Sequence, residues 1–199
     1  MITVHAQITG TTPLLVNKYT DESAQQKPTR RIEVAENKNP RKEAQSRAYV
    51  ADDGSFFFNS FAILNAMAAA GTSFKQKGSR KTLRFVVPSA IRMLDGDGIT
   101  ILDEDFTVSK QFEIDSRPVV IPATGGRIIR HRPRWNVWAA RFRLGVNEEL
   151  LDPITAHRLL SEAGQTIGIG DFRPERRGPF GTFIVTEWMP DQRALKEAA

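Results

Sequence analysis

The 199-residue chain contains no cysteine, so it has neither a disulfide framework nor a thiolate metal site. No apolar run approaches the roughly 20 residues that a bilayer-spanning helix requires. The first residues lack a basic segment followed by an apolar signal-peptide core, and they alternate instead in the manner of a strand. We therefore expect a cytoplasmic protein that has no membrane partner.

Motifs of catalytic and cofactor sites are also missing. The chain has no nucleophile-elbow motif, and no spacing of its three histidines with acidic residues resembles a metal centre. A glycine-rich stretch, GIGDFRPERRGPFG at residues 168–181, lacks the Lys-Ser/Thr pair of a P-loop. It also lies between a predicted helix and a predicted strand, whereas P-loops and dinucleotide sites run from strand to helix. We expect no cofactor and no metal.

Residues 168–181, called the glycine–arginine loop below, are the most distinctive stretch of the chain. Gly168 and Gly170 carry no Cβ, so the backbone there is able to face a bulky anion without a steric penalty. Three side chains add planar forks that suit phosphate oxygens: Arg173, Arg176 and Arg177. The loop predicts a phosphate-binding site. The alternative is a glycine turn that lets a helix pack closely on a strand, with its arginines merely solvated.

Positive charge is clustered along the chain, whose formal net charge is +5. An acid-free stretch holds seven arginines: Arg117, Arg127, Arg130, Arg132, Arg134, Arg141 and Arg143. A second acid-free cluster holds Lys75, Lys77, Arg80, Lys81 and Arg84. Clusters of this kind favour binding to a polyanion. We expect the arginines from 127 to 143 and the lysines and arginine from 75 to 81 to contact nucleic acid.

Aromatic residues lie close to the basic clusters. Trp135 and Phe172 are candidates for stacking on nucleic-acid bases. Trp138 shares an alternation with Phe142 and Leu144, so its side chain is expected in the core. The same alternation places Arg141 and Arg143 together on the opposite, basic face of that strand.

Six segments have clear secondary-structure signals. Strands are predicted at 2–9, 117–122, 136–146 and 181–187, and helices at 59–70 and 153–164. The order βαββαβ predicts a single α+β domain of the ferredoxin-like (RRM-like) class, with an antiparallel sheet and insertions at about 17–47 and 72–116. Two helices would cover one face of the sheet and leave the other free.

Local signals support several of these elements. Asp53 and Gly54 predict a tight hairpin turn, because Asp-Gly suits the turn that matches strand twist. Asp152 followed by Pro153 predicts the start of the second helix, and Gly164 predicts its end.

The element order, the large insertions and the glycine–arginine loop between the last helix and the last strand resemble the RAMP superfamily of CRISPR-associated RNA-binding proteins. The opening strand into Thr12-Pro13-Leu14-Leu15 and the helix ending Ala68-Ala69-Ala70-Gly71 are similar to backbone subunits of that group. A viral or mobile-element relative with the same fold fits equally well. The resemblance implies an antiviral ribonucleoprotein in which identical subunits hold single-stranded RNA or DNA along its backbone.

Three functional classes remain open at this stage. The first is a non-catalytic, oligomeric binder of single-stranded nucleic acid, with RNA favoured over DNA. The second is a metal-independent ribonuclease that uses His131 or His5 as general acid or base, although a histidine that only packs or contacts phosphate is the simpler reading. The third is an assembly protein whose basic surface meets an acidic protein partner.

Overall fold

The structure is a computed structural model that describes residues 1–19, 39–76, 78–120 and 125–191. Its fold is α+β, with antiparallel strand pairing and few helices. In chain order the elements are β1 (Ile2–Gly10), β2 (Leu14–Leu15), α1 (Pro40–Ser46), β3 (Tyr49–Val50), β4 (Phe56–Asn59), α2 (Phe61–Ala70), α3 (Val87–Ala90), β5 (Ile91–Met93), β6 (Gly98–Thr100), β7 (Glu113–Val120), β8 (Arg127–Trp135), β9 (Ala139–Val146), α4 (Pro153–Glu162) and β10 (Phe183–Pro190).

The main sheet has four strands in the order β10-β1-β9-β5, and each neighbouring pair is antiparallel. Helix α2 lies between β1 and β5 in the chain, and α4 lies between β9 and β10. Gly10 pairs with Phe183 at one end of the sheet, and Ile2 pairs with Val146 at the other. The nine residues of β1 separate these two ends by about 25 Å.

The two helices pack on one face of this sheet. Val4 and Ile8 of β1 are buried in one cluster with Met67 of α2 and Leu159 of α4. The alternate position, His5, is exposed on the opposite face. Alternation in β1 therefore predicts the buried face correctly, because the pleat turns every second side chain toward the helices.

Two local predictions are confirmed by hydrogen bonds. The Asp152 side chain accepts a 2.8 Å bond from the Thr155 amide at the start of α4. Tyr49 pairs with Phe57 across the hairpin that turns at Gly54. Both signals depend on residues that lie close together in the chain, so no distant contact is needed to read them.

The predicted end of α4 is wrong. The helix does not stop at Gly164 but continues through a wide π-type turn, Ala163–Ile167, and leaves the helical conformation at Gly168. Gly164 instead allows close packing, because a Cβ there would lie 2.3 Å from the carbonyl oxygen of Phe183. The glycine brings the helix against β10 rather than ending it.

The assignment of 117–122 to the main sheet is also wrong. Residues 117–120 belong to β7, which pairs with β8 in a separate three-stranded sheet of order β2-β8-β7; residues 121–122 lie outside the described residues. Ile91–Met93 takes the corresponding place in the main sheet, beside β9. A three-residue strand is too short for period-two alternation to identify.

Strands β7 and β8 form a long hairpin, called the arm below. Its base joins the main sheet through β2, since Leu14 pairs with Trp135. The base therefore lies at the end of the sheet where Gly10 pairs with Phe183. Most of the predicted insertion at 17–47 lies outside the described residues, and its last part forms α1, which packs on β8.

No helix among the described residues is both long and apolar enough to cross a membrane.

Candidate nucleic-acid interface

The glycine–arginine loop is fixed by backbone hydrogen bonds to the segment that follows β1. The Gly181 amide donates to the carbonyl of Pro13 at 2.9 Å, and the Asp171 amide donates to that of Leu15 at 2.7 Å. Within the loop, the Ile169 amide donates to the carbonyl of Gly181 at 2.9 Å. These amides are engaged within the protein, so they are not donors for a bound phosphate.

The glycines of the loop serve close packing. A Cβ on Gly170 would lie 2.5 Å from the carbonyl oxygen of Leu15, and one on Gly181 would lie 1.8 Å from that of Ile169. Gly168, which we expected to present its amide to an anion, donates that amide to the carbonyl of Ala163. The prediction of an anion cradle at Gly168 is therefore wrong, and the packing alternative describes these glycines.

The three arginines of the loop differ in their partners. Arg173 donates to the carbonyl of Gly170 at 3.0 Å and pairs with Glu175 at 2.5 Å, so its guanidinium holds the loop together. Arg176 and Arg177 are exposed and have no carboxylate partner among the described residues. Only the latter two remain free to bind a phosphate strand as predicted.

The arm arginines, which we expected to face a ligand, are mostly paired with carboxylates. Arg132 is 5% exposed and bonds Asp171 of the glycine–arginine loop at 2.7 Å and Asp115 of β7 at 3.3 Å. Since this guanidinium is buried between two carboxylates, it ties the arm to the loop. Its predicted contact with nucleic acid is wrong, because no surface remains for one.

Other arm arginines have weaker or more exposed pairings. These are Arg117 with Asp115 at 2.7 Å, Arg134 with Glu113 at 3.0 Å and Arg130 with Glu43 at 3.7 Å. Arg127, near the tip of the arm, is exposed and lacks a carboxylate partner within the described parts of the chain. The arm therefore presents Arg127 to a ligand, with Arg130 and Arg134 only partly open.

Helix α1 adds a buried cation at its C-terminal end. Arg47, at its C-terminal cap, is 9% exposed and donates from Nη1 to Oδ1 of Asn17 at 2.8 Å. Burial lowers the pKa of Arg47, and the charge of Arg130 lowers it further, against the opposing effect of Glu43. The lowered pKa therefore reflects mainly the burial of this guanidinium, with a smaller contribution from the neighbouring Arg130.

Taken as one surface, called the arm end below, residues 40–47, 113–120, 127–135 and 168–181 hold eleven Lys and Arg and five Asp and Glu. The formal excess of six positive charges is larger than the net charge of the whole chain, +5. Internal pairing consumes part of this charge but does not cancel it. This excess of positive charge creates an electrostatic attraction between the arm end and anions.

The arginines of β9 lie elsewhere, on the exposed face of the main sheet. Arg141 donates to Oε1 of Gln7 at 2.7 Å and stacks on Phe106 at 4.5 Å. Arg143 pairs with Asp95 at 2.6 Å. They border a cleft of about 500 Å³ that also includes Glu187. This face is mixed in charge rather than uniformly basic.

The second basic cluster is far from the arm end. Lys75, Arg80 and Lys81 are exposed in the loop before α3. Helix α3 ends beside the C-terminal end of β9, since the amide of Asn147 donates to the carbonyl of Ala90. This is the end of the sheet where Ile2 pairs with Val146. The two basic clusters therefore do not form one surface; Lys77 lies outside the described residues.

The predictions for three aromatic residues differ in outcome. Trp138 is fully buried, as expected for a core residue. Trp135 is only 3% exposed and packs edge-on against Phe56 at 5.4 Å, so its predicted role in base stacking is wrong. Phe172 is 36% exposed in the glycine–arginine loop and remains a candidate.

The two candidate catalytic histidines are separated. His131 lies on the arm, where its Nδ1 is 2.7 Å from Oγ of Ser116. His5 lies on the exposed face of the main sheet, 3.7 Å from Asp191. The structure therefore does not bring them together as a general acid and base pair.

A second cleft, of about 350 Å³, adjoins the glycine–arginine loop and was not expected from the sequence. Three of its lining residues are asparagines: Asn17, Asn59 and Asn65. They come from the segment after β2, from β4 and from α2, so no local motif in the sequence connects them.

No protein-family model matches the chain, and no curated protein matches it either.

Proposed function

We propose that the protein binds single-stranded nucleic acid, with RNA favoured, along the arm end, as a non-catalytic subunit of an oligomeric ribonucleoprotein. The observation that carries the proposal is the formal excess of six positive charges at the arm end. Arginines that neutralise phosphates release condensed counterions, which drives binding of any nucleic-acid backbone. Arg127, Arg176 and Arg177, like Arg41 and Lys42 of α1, are exposed and free to make such contacts.

The proposal includes a ferredoxin-like core for the main sheet and its two helices. The strand order β10-β1-β9-β5 and the positions of α2 and α4 support it, since a split βαβ pair has this connectivity. The arm would then be an insertion between the second and third strands of the main sheet in chain order, β5 and β9.

Membership of the RAMP superfamily is part of the same proposal. The place of the glycine–arginine loop, between the last helix and the last strand, supports it. A CRISPR-like ribonucleoprotein, or a viral or mobile-element counterpart, would use several copies of the chain along one strand. Analytical ultracentrifugation with and without RNA tests this directly, since assembly on RNA predicts a mass that grows with RNA length.

The binding test is fluorescence anisotropy with labelled single-stranded RNA and DNA of equal length at two salt concentrations. We expect binding that weakens steeply with salt, with a slope of about −0.7 in log K against log [salt] for each phosphate contact. An assembly protein for an acidic partner predicts no appreciable binding to either strand. That result would contradict the proposal.

The ribonuclease alternative is separated from binding by incubating the same RNA in EDTA and running a denaturing gel. We expect intact RNA after prolonged incubation. Cleavage that persists in EDTA and disappears in His131→Ala or His5→Ala would replace the proposed function with a metal-independent nuclease.

A further inference from the structure

The cleft beside the glycine–arginine loop has the dimensions and composition of a small-ligand site. Its volume of about 350 Å³ lies within the range of such sites, roughly 300–1,000 Å³. Its floor is made of buried apolar side chains, among them Val16, Phe58 and Ile169. The rim carries the three asparagines, together with Tyr49, Asp171 and Arg173.

Two of the asparagines have a fixed orientation. Oδ1 of Asn17 accepts from Nη1 of Arg47 at 2.8 Å, and Oδ1 of Asn59 accepts from the Phe61 amide at 2.9 Å. An arginine and a backbone amide only donate, so the atoms facing them are the side-chain oxygens. Each asparagine therefore keeps its Nδ2 donors, and neither Nδ2 bonds another of the described residues. The cleft carries two committed donor groups.

The same rim also carries an acceptor. The Asp171 carboxylate receives the Arg132 guanidinium on Oδ2 and the Phe172 amide on Oδ1. A carboxylate has about four lone-pair positions, so it retains capacity for another donor. A ligand that complements this rim has carbonyl oxygens for the amide donors and an N–H for the carboxylate.

Guanine and uracil have that pattern, a carbonyl adjacent to a ring N–H. Adenine and cytosine have the reverse, an exocyclic amine adjacent to an unprotonated ring nitrogen. An amino base would set its amine against the amide donors and its ring nitrogen against the carboxylate. Unpaired polar groups in a partly buried site cost more than a missing hydrogen bond alone, so the rim discriminates between the two kinds of base.

From this arrangement we propose that the cleft binds one unstacked keto nucleobase, guanine or uracil, of the strand held at the arm end. The proposal rests on the proposed nucleic-acid binding and adds a base preference to it. Gly170 and Arg173 line the cleft and belong to the glycine–arginine loop. A base in the cleft thus lies against the glycine–arginine loop, and Tyr49 supplies an aromatic wall.

The test compares two labelled RNAs of twelve nucleotides, oligouridine and oligocytidine. Both are pyrimidines, and they differ at the edge that the rim contacts. Cytidines stack on one another more than uridines do, so the variants below are needed to assign the preference to the rim. We expect the wild-type protein to bind oligouridine roughly tenfold more tightly, the effect of about two hydrogen bonds. Equal affinity for the two RNAs would overturn the base preference.

A double variant, Asn17→Asp with Asn59→Asp, reverses the polarity of the rim. Aspartate still accepts from Arg47 and from the Phe61 amide, so the internal hydrogen bonds persist while the Nδ2 donors are replaced by acceptors. We expect the preference for oligouridine to disappear or to reverse toward oligocytidine. A preference that stays tenfold would overturn the proposal, and Asn59→Asp alone is measured if the double variant does not fold.

The matched control adds the same two negative charges outside the cleft, as Asn39→Asp with Gln45→Glu. Asn39 caps α1 through its Oδ1, which aspartate preserves, and Gln45 is exposed. We expect weaker binding of both RNAs, with an unchanged ratio of the affinities for oligouridine and oligocytidine. A changed ratio in this control would assign the preference to charge rather than to the cleft, and would overturn the proposal. Failure of the wild-type protein to bind either RNA would contradict the proposed function itself.

Discussion

Two basic loops, at opposite ends of the main sheet, use glycine and arginine in different ways. In the glycine–arginine loop, a Cβ on Gly181 would overlap a carbonyl oxygen, and Arg173 bonds the loop's own backbone. In the loop before α3, a Cβ on Gly78 would meet nothing within 4 Å, and Arg80 is exposed. Similar composition therefore gives a packed junction at one end and a solvated loop at the other.

The difference shows which residues shape the arm end and which remain available to a ligand. Arg132 and Arg173 hold the arm and the loop in place through Asp115, Asp171 and Glu175. Their charges are largely satisfied inside the protein. Ligand binding then depends on the cations that the packing leaves exposed.

The largest effect expected is that of a single methyl group at Gly181. Its φ of 73° is unfavourable for alanine, and the added Cβ would lie 1.8 Å from the carbonyl oxygen of Ile169. We expect Gly181→Ala to lower the free energy of unfolding by more than about 4 kcal/mol, measured by urea denaturation. Gly78→Ala has a similar φ but open space, so about 1 kcal/mol is expected. Equal losses would contradict the contrast between the loops.

The next largest effect is expected from removing the buried guanidinium of Arg132. Arg132→Met leaves Asp115 and Asp171 without their shared partner, and breaking a buried pair in this way costs about 3 kcal/mol or more. The matched variant Arg80→Met removes an exposed cation and should change stability by less than about 0.5 kcal/mol. Thermal and urea unfolding of both variants measure the difference, and a neutral Arg132→Met would show that the arm is not held by this pair.

A smaller effect belongs to Asp152, which begins α4 at the end of the sheet away from the arm. Burial raises its pKa, but hydrogen bonds from Thr155 outweigh burial, and the pKa is lowered overall. A carboxylate whose pKa is lowered by folding stabilises the protein at pH values above its unfolded pKa of about 3.9. This stabilisation is lost as the pH falls through the lower pKa of the folded state.

We therefore expect Asp152→Ala to cost about 1 kcal/mol at neutral pH and less near pH 3. Asp152→Asn keeps an acceptor for the Thr155 amide and serves as the control. A cost for Asp152→Ala that does not change between these pH values would show that the ionised carboxylate is not what stabilises the helix start.

The sequence allowed the local parts of the fold to be predicted. Alternation identified the buried face of β1, and the Asp152 cap identified the start of α4. It did not identify β5, whose three residues are too few for a pattern, or the place of the arm outside the main sheet. Strand order depends on contacts between distant segments, and a short strand carries little of that information.

The candidate site was harder to predict because its partners are far apart in the chain. Arg132 and Asp171 are separated by 39 residues, and an acid-free stretch of sequence gave no sign of that pairing. Trp135 is buried by Phe56 and Phe112, which precede it by many residues. The basic clusters are visible in the sequence, whereas their separation into two ends of the molecule required the structure.

The most direct test compares RNA binding by two triple-alanine variants, one at each end of the sheet. The first replaces Arg127, Arg176 and Arg177 at the arm end, and the second replaces Lys75, Arg80 and Lys81 in the loop before α3. All six side chains are exposed, so both variants should fold. We expect only the first to lose affinity, with its salt slope reduced by about 2 for three lost phosphate contacts. Equal losses in both variants, or a loss only in the second, would contradict binding at the arm end.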